Sequence, residues 1–329
     1  MRIAVLGAGA WGSALAISLS SRHSICMWTK DLDHAFEMKT QRINQRFFPG
    51  YSFPETLEIT STFSEALDCA DLAIIVVPVA GMRETLQAIA ANNVSMPIVW
   101  GCKGFESETC YLPHQIVEEE ITLLQNCGVL SGPSFAEEVA QGLPTALTLA
   151  SSDSNFSSRI AAELHSSRLR IYTSQDVVGV ETGGAVKNVI TIAVGISDGI
   201  GFGHNARAAL ITRGLMEMTR LGLSLGGKME TFMGLAGVGD LILTSTGDLS
   251  RNRQVGLLLA SGKSLQDILD ELGHVAEGVH TAQSVSELGN RLNIEMPITD
   301  AVCGILQGRL SARAAVEVLL NREQKSEVY

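Results

Sequence analysis

The chain opens on a short apolar run, Ile3 to Leu6, and its period then changes. From Trp11 onward small and apolar residues recur at helical spacing, at Ala14, Leu15 and Leu19, so a buried strand feeds a helix. Further strand-like runs fall at residues 25–28, 57–60, 72–77, 97–100, 129–131, 145–150 and 168–173. Helical stretches are expected between them, near 64–67, 81–91, 134–140 and 156–164. The continuous apolar run at 72–77 reads as a parallel strand buried on both faces. Residues 42–54, with their aromatics and prolines, read as a loop packed over the sheet. After Asp176 no strand-like run returns, and helical periodicity continues to the end. This predicts an α/β unit with a doubly wound sheet over residues 1–178 and an all-α unit over residues 179–329.

A length of 329 residues suits two domains. Apolar residues make up 46% of the chain but aromatics only 5%, so the cores must be mainly aliphatic. The net charge of −11, with no basic block, argues against a nucleic-acid partner. It leaves room for an anionic small molecule held in a local cationic pocket. No apolar strand-like run approaches the length of a membrane span. Residues 3–20 are apolar, but three glycines interrupt them and only Arg2 precedes them, which fits a secretory leader poorly. The six cysteines form no C-x-x-C pair and read as reduced thiols of a cytoplasmic protein. The seven histidines show no ligand spacing, so no metal is expected. His204, in a glycine-rich stretch, reads as structural rather than catalytic.

Gly7, Gly9 and Gly12 hold the G-x-G-x-x-G spacing at the first strand–helix junction. Gly7 permits the tight turn, Gly9 lets a pyrophosphate approach the backbone, and Gly12 lets the helix pack against the strand. The helix N-terminus adds unpaired N–H groups and a positive dipole end. A dinucleotide is the expected ligand; a tight turn without ligand is the competing reading. No acid ends the second strand at Trp28, where an NAD-specific site usually holds the ribose 2′-hydroxyl. Lys30 follows and suits a 2′-phosphate, unless it is a solvated loop lysine. Asp31 reaches the ribose if the strand end is shifted.

Other chemistry gathers further along. Lys103 stands among glycines straight after a buried strand, where open α/β sheets bind ligands; an ordinary loop lysine is the alternative. Gly132-Pro133-Ser134 opens another helix, with Ser134 as its expected cap. The helix expected over 181–196 carries an apolar stripe of Ala185, Val189, Ile192 and Ile196. Gly184, Lys187, Asn188, Thr191 and Gly195 form a second, small and polar stripe. Gly183 and Gly184 each lower helix stability by about 1 kcal/mol relative to alanine, so something needs room beside them. A partly desolvated lysine among small residues has a lowered pKa suited to acid–base work; snorkelling from a helix end is the other reading. Residues 199–207 read as a loop too glycine-rich for helix. Asp240 follows the small residues of 234–239. Ser250-Arg251-Asn252-Arg253, at a helix start, makes an oxyanion cradle in which arginine grips phosphate bidentately. One of the two arginines belongs instead to a solvated helix face. Residues 275–279 read as an exposed turn, and 296–298 open the last helical hairpin.

Seven segments together resemble the NAD(P)-dependent glycerol-3-phosphate dehydrogenases, the bacterial branch most closely. They are Gly7-Ala8-Gly9-Ala10-Trp11-Gly12, Cys102-Lys103-Gly104, Ser131-Gly132-Pro133-Ser134-Phe135-Ala136, Gly183-Gly184-Ala185-Val186-Lys187-Asn188, Gly237-Val238-Gly239-Asp240-Leu241, Ser250-Arg251-Asn252-Arg253 and Val275-Ala276-Glu277-Gly278. The lysine–asparagine helix followed by Ser-Arg-Asn-Arg is the specific part. The resemblance implies a Rossmann-type domain binding NAD(H) or NADP(H) and a helical domain that closes over the substrate. It implies reversible reduction of dihydroxyacetone phosphate to sn-glycerol 3-phosphate, feeding glycerophospholipid synthesis, by a homodimer. Lys187 then matches the catalytic lysine, with Asp240 orienting it and Lys103 as a second cation. Lys103, Gly132, Ser134, Asp240, Ser250, Arg251 and Asn252 match substrate contacts, and Asn188 and Thr244 match active-site positions of the eukaryotic branch. Trp11, Lys30, Lys103, Ala136, Arg251, Val275 and Glu277 match cofactor contacts. Ala10 departs from the serine or threonine of many bacterial members, leaving the pyrophosphate to backbone N–H groups.

Overall fold

A computed structural model describes residues 1–92, 96–121, 126–272 and 276–321. The strands are β1 (Arg2–Leu6), β2 (Ser24–Trp28), β3 (Ile43–Asn44), β4 (Phe48–Ser52), β5 (Glu58–Thr60), β6 (Leu72–Ile75), β7 (Ile98–Trp100), β8 (Cys127–Ser131), β9 (Thr145–Ala150) and β10 (Leu169–Ser174). The helices among them are α1 (Ala10–Leu19), α2 (Leu32–Gln41), α3 (Phe63–Leu67), α4 (Met82–Ala91), α5 (Pro113–Glu120), α6 (Ala136–Ala140) and α7 (Ser154–Leu164). After β10 the described residues are helical: α8 (Val177–Ile200), α9 (Gly203–Ser224), α10 (Met229–Phe232), α11 (Asp240–Thr246), α12 (Arg251–Ala260), α13 (Leu265–Leu272), α14 (Glu277–Arg291), α15 (Pro297–Leu306) and α16 (Ala312–Leu320). A π-helical turn, Leu235–Gly239, leads into α11.

Eight strands form one sheet in the order β10-β9-β8-β7-β6-β1-β2-β5. From β5 to β8 all neighbours are parallel, whereas β9 pairs antiparallel to β8. The parallel part is the doubly wound arrangement, reversing direction between β1 and β6, so its crevice opens beyond their carboxyl ends. Alternation along the strands separates two cores. Ile3, Val5, Ile74 and Val99 pack with Leu15 and Leu19 of α1. Ala4, Leu6, Ile75 and Trp100 pack with Met82, Leu86 and Ile116 on the other face.

The helical part is built around α8, which is buried almost throughout from Gly179 to Ser197. Asp176 caps it, accepting from the Gly179 N–H at 2.9 Å. By length and apolarity α8 qualifies as a membrane span, but 89% of its most apolar window is buried inside the protein, which makes it a core helix. Two glycines set its contact with α12. A Cβ on Gly195 would lie 2.2 Å from the Arg253 carbonyl oxygen, and one on Gly256 would lie 2.3 Å from that of Ile192. The two backbones therefore touch, and the start of α12 is drawn toward the middle of α8.

Several expectations need correction. Residues 42–54 are not a loop: β3 and β4 pair as a hairpin, stiffened by stacking of Phe48 on Tyr51 at 4.5 Å. Residues 199–207 are mostly helical, because α8 runs to Ile200 and α9 starts at Gly203. The two glycines absorb a sharp break there, with Gly201 at φ +89 and Gly203 at φ +79, and Arg207 is tied back to Asp198 at 2.9 Å. His204 lies in the exposed first turn of α9. Residues 276–279 are the start of α14 rather than an exposed turn, with Ala276 and Gly278 buried; Val275 lies outside the described residues. The helix after Gly132 starts later than expected, with Phe135 at its N-cap, and the Ser134 hydroxyl donates to the Gly132 carbonyl at 3.1 Å instead of capping.

Candidate active site

The glycine loop sits at the sheet's switch point. Gly7 has φ +124, and a Cβ there would lie 2.9 Å from the Val76 carbonyl. A Cβ on Gly12 would lie 1.9 Å from the Gly7 oxygen, so α1 starts hard against the turn. Gly9 differs, because a Cβ there would meet nothing within 4 Å. Two glycines are thus required by packing and the third borders open space beside the α1 N-terminus, which fits a pyrophosphate. Asn44 holds this loop from the hairpin, donating to the Ala8 carbonyl at 2.8 Å and the Ser13 hydroxyl at 2.9 Å. Trp11 lies in the first turn of α1 and reaches β7: its Nε1 is 3.2 Å from where a Gly101 Cβ would be. Ala136 opens α6, which packs on α1.

At the end of β2, Lys30 is exposed. Asp31 is committed elsewhere: it accepts the His34 N–H at 2.9 Å as cap of α2 and pairs with Arg46 at 2.8 Å. Arg46, from the turn between β3 and β4, also grips Glu37 at 2.8 Å. The strand end thus carries two cations, one of which the sequence pattern did not single out.

The chemistry gathers where α8, the β7 end and α11 meet. The Lys187 ammonium is buried and donates to Asp240 Oδ1 at 2.5 Å and Thr244 Oγ1 at 2.7 Å. The other Asp240 oxygen accepts from Lys103 Nζ at 2.7 Å, so one carboxylate bridges two ammoniums. Lys103 also reaches the carbonyl of Gly132 at 3.4 Å. Thr244 donates back to the Asp240 carbonyl at 2.7 Å, one helical turn away. Burial pushes the Lys187 ammonium down to about 8; Asp240 opposes the fall and Lys103 adds to it. Burial disfavours the Asp240 carboxylate, but the two lysines outweigh it and hold its pKa below the usual range.

A second shell of polar groups joins α8, α12 and α14. Asn252 donates to Asn188 Oδ1 at 3.0 Å and accepts the Gly278 N–H at 3.1 Å. Ser250 caps α12, accepting from the Arg253 N–H at 3.3 Å. The two arginines divide their duties. Arg253 is tied to Asp198 at 2.9 Å and Asp248 at 3.0 Å, which makes it structural. Arg251, the first residue of α12, is exposed and makes no ion pair among the described residues. Its charge is felt by Glu277 at the start of α14, whose carboxyl burial pushes up against the pull of Arg251, Lys103 and Lys187. Arg251 and the α12 N-terminus therefore present a cationic rim beside the lysine pair.

The sequence pattern passed over three of these groups. Asn44 and Arg46 lie in the stretch read as loop, where no periodicity marked them. Glu181, a buried acid of α8 held by Trp100 and His114, figures in the sequence pattern only as the first residue of the helix expected over 181–196.

This combination of dinucleotide loop, buried lysine and arginine-headed helix has close counterparts. Residues 2–157 match the family model for the NAD-dependent glycerol-3-phosphate dehydrogenase N-terminus, and residues 176–317 match that for the C-terminus. The chain is 63% identical to the glycerol-3-phosphate dehydrogenase (NAD(P)+) of Nitrosospira multiformis, with 100% of both chains covered. It is 56% identical to that of Nitrosomonas europaea, with 99% of both covered. The crystal structure of glycerol-3-phosphate dehydrogenase from Coxiella burnetii matches with a TM-score of 0.94 at 43% identity, covering 98% of this chain and 99% of that one. The chain belongs to the NAD-dependent glycerol-3-phosphate dehydrogenase family.

Proposed function

We propose that Lys187 is the proton donor and acceptor of this dehydrogenase and that Arg251 holds the substrate phosphate. The reaction is the reversible reduction of dihydroxyacetone phosphate to sn-glycerol 3-phosphate with NAD(P)H. The observation that carries the assignment is the buried Lys187 ammonium fixed between Asp240 and Thr244, beside an arginine that has no ion pair among the described residues.

Gly7, Gly9, Trp11, Gly12, Ala136 and Lys103 would hold the dinucleotide, which supplies hydride to the carbonyl carbon when bound. As negative charge grows on the carbonyl oxygen, Lys187 stabilises it and delivers a proton. Asp240 fixes the ammonium's position, and Lys103 adds a second positive charge to the same site. In the reverse direction neutral Lys187 takes the hydroxyl proton. Arg251, with the first N–H groups of α12, grips the phosphate, while Ser250 and Asn252 line that cradle. Gly132 and Ser134 border the triose beside Lys103. The division at residue 178 gives a cofactor half and a substrate half. The same reading makes the protein a cytoplasmic homodimer supplying glycerol 3-phosphate to phospholipid synthesis.

The test is loss of NADPH absorbance on adding dihydroxyacetone phosphate. No loss with either NADPH or NADH overturns the reading, and equal rates with unphosphorylated dihydroxyacetone overturn the phosphate role.

The Lys187 value sets a pH dependence with opposite signs in the two directions. Ketone reduction needs the ammonium, so its kcat/KM should be flat below about 8 and fall above it. Alcohol oxidation needs the free amine and should rise through the same region. Steady-state profiles in both directions check this, and parallel profiles would remove Lys187 from proton transfer.

Cofactor choice rests on Lys30 and on the engagement of Asp31 with α2 and Arg46. NADPH should bind at least as well as NADH. Lys30→Glu should weaken NADPH by roughly tenfold more than NADH, since only the former carries a 2′-phosphate. Titration of both cofactors decides it, and equal losses would count against Lys30.

A further inference from the structure

We propose that Glu181 is a positioning residue: its carboxylate fastens the segment carrying Lys103 onto the helix carrying Lys187, and so sets the spacing of the two ammoniums. The inference rests on Lys187 being the proton-transfer group.

Glu181 lies in the first half of α8 and is almost wholly buried. Its Oε1 accepts from the Trp100 indole N–H at 2.7 Å and from the His114 backbone N–H at 2.9 Å, and its Oε2 meets His114 Nδ1 at 2.5 Å. Trp100 is the last residue of β7, and His114 lies in the first turn of α5. One carboxylate therefore grips both ends of the stretch 100–114, and Lys103 projects from within it.

Between the clamp and the lysine pair, the Lys103 stem crosses Gly184. A Cβ on Gly184 would lie 3.4 Å from Lys103 Cγ and 3.0 Å from Ser131 Oγ, a buried hydroxyl with no hydrogen-bond partner among the described residues. The missing side chain is thus the seat of Lys103, which answers what needs room beside this helix. Beyond the seat, Lys103 Nζ ends on one Asp240 oxygen and Lys187 Nζ on the other. Lys187 is held by its own helix and by Thr244, whereas Lys103 is held in register by the clamp and the seat. A misplacement of about 1 Å can cost ~10²-fold in rate.

A buried carboxylate is costly unless its oxygens are filled. The Trp100 indole and His114 backbone N–H groups fill one oxygen of Glu181 and the His114 ring meets the other, which identifies a connection rather than a leftover charge. The titratable groups that feel Glu181 are His114 of α5 and the thiols of Cys102, just after β7, and Cys127 of β8; Glu118 acts on His114. Those facing Lys187 are Asp240 from α11, Lys103 from the segment after β7 and Glu277 from α14. Of these, Lys103 lowers the proton affinity of Lys187, while Asp240 and Glu277 raise it. Releasing Lys103 should therefore raise it.

Two variants test the clamp in the full-length protein. Trp100→Phe removes the indole donor and keeps an aromatic ring in the core. Glu181→Gln keeps the shape and replaces one acceptor oxygen with an amino group. Each is expected to lower kcat roughly tenfold and to move the alkaline limb of the reduction profile upward by about half a pH unit. The shift of the limb is the decisive reading, because lost stability alone would not move it. A limb at the parental pH overturns the proposal, whether or not kcat or Tm falls. If Glu181→Gln does not fold, Trp100→Phe alone decides. Lys187→Ala separates the two levels of inference. If it stays active, the proton-transfer reading fails; if it is dead while both clamp variants behave like the parent, only the clamp fails.

Discussion

Lys187→Ala should lose at least ~10³-fold in kcat and still bind NADPH. General acid–base assistance contributes roughly 10²–10⁴-fold, and stabilisation of the developing oxyanion adds to it. On the proposed reading Lys187 supplies both from a single atom, because an ammonium is at once a cation and an acid. Its surroundings prepare it for this. Burial brings its pKa down to about 8, while Asp240 and Thr244 fix its direction. Alanine also leaves the Asp240 carboxylate with Lys103 as its remaining ammonium partner, so the site loses charge as well as a proton source. Cofactor affinity should survive, because the glycine loop belongs to α1 and β1 and not to α8. Single-turnover kinetics and NADPH titration on the same preparation decide the matter. If the variant keeps more than a tenth of parental kcat, Lys187 is not the acid, and Lys103→Ala becomes the substitution expected to abolish turnover.

Arg251→Ala should lower kcat/KM for dihydroxyacetone phosphate by about 30- to 1000-fold, equivalent to ~2–4 kcal/mol for a lost charged contact. The geometry singles out Arg251 over its neighbour. Arg253 is occupied by Asp198 and Asp248, whereas Arg251 stands exposed at the head of α12. The diagnostic quantity is the ratio of rates with phosphorylated and unphosphorylated triose. That ratio should collapse toward one in the variant. A variant that preserves the parental ratio would show that the phosphate is held elsewhere.

The fold was legible wherever one period dominated. The apolar runs of β1, β6 and β9 and the glycine spacing at the first turn located the sheet and its crevice. The small polar stripe of α8 pointed to Lys187 and to the need for space at Gly184. What escaped was set by contacts between distant segments. The β3–β4 hairpin has too few residues to show alternation, so Asn44 and Arg46 stayed hidden although both bear on the cofactor end. The break at Gly201 looks like a long loop in sequence because glycine content carries no information about ion pairs such as Asp198 to Arg207. Which of Arg251 and Arg253 is taken up by ion pairs depends on partners at positions 198 and 248, and no local pattern encodes that. The link from Glu181 to Trp100 spans a separation of 81 residues, beyond any periodicity.

Lys187 is carried midway along a helix that is out of water from Gly179 to Ser197. A segment so enclosed opens only when the surrounding domain unfolds, and its free energy of opening approaches that of the whole. Lys187, the proposed proton-transfer group, therefore does not breathe on the timescale of loop motion. At the rim, where α12 begins, the exposed side chain is that of Arg251. On the proposed reading, substitutions at the exposed Arg251 should therefore alter turnover without loosening the core that keeps the protein folded.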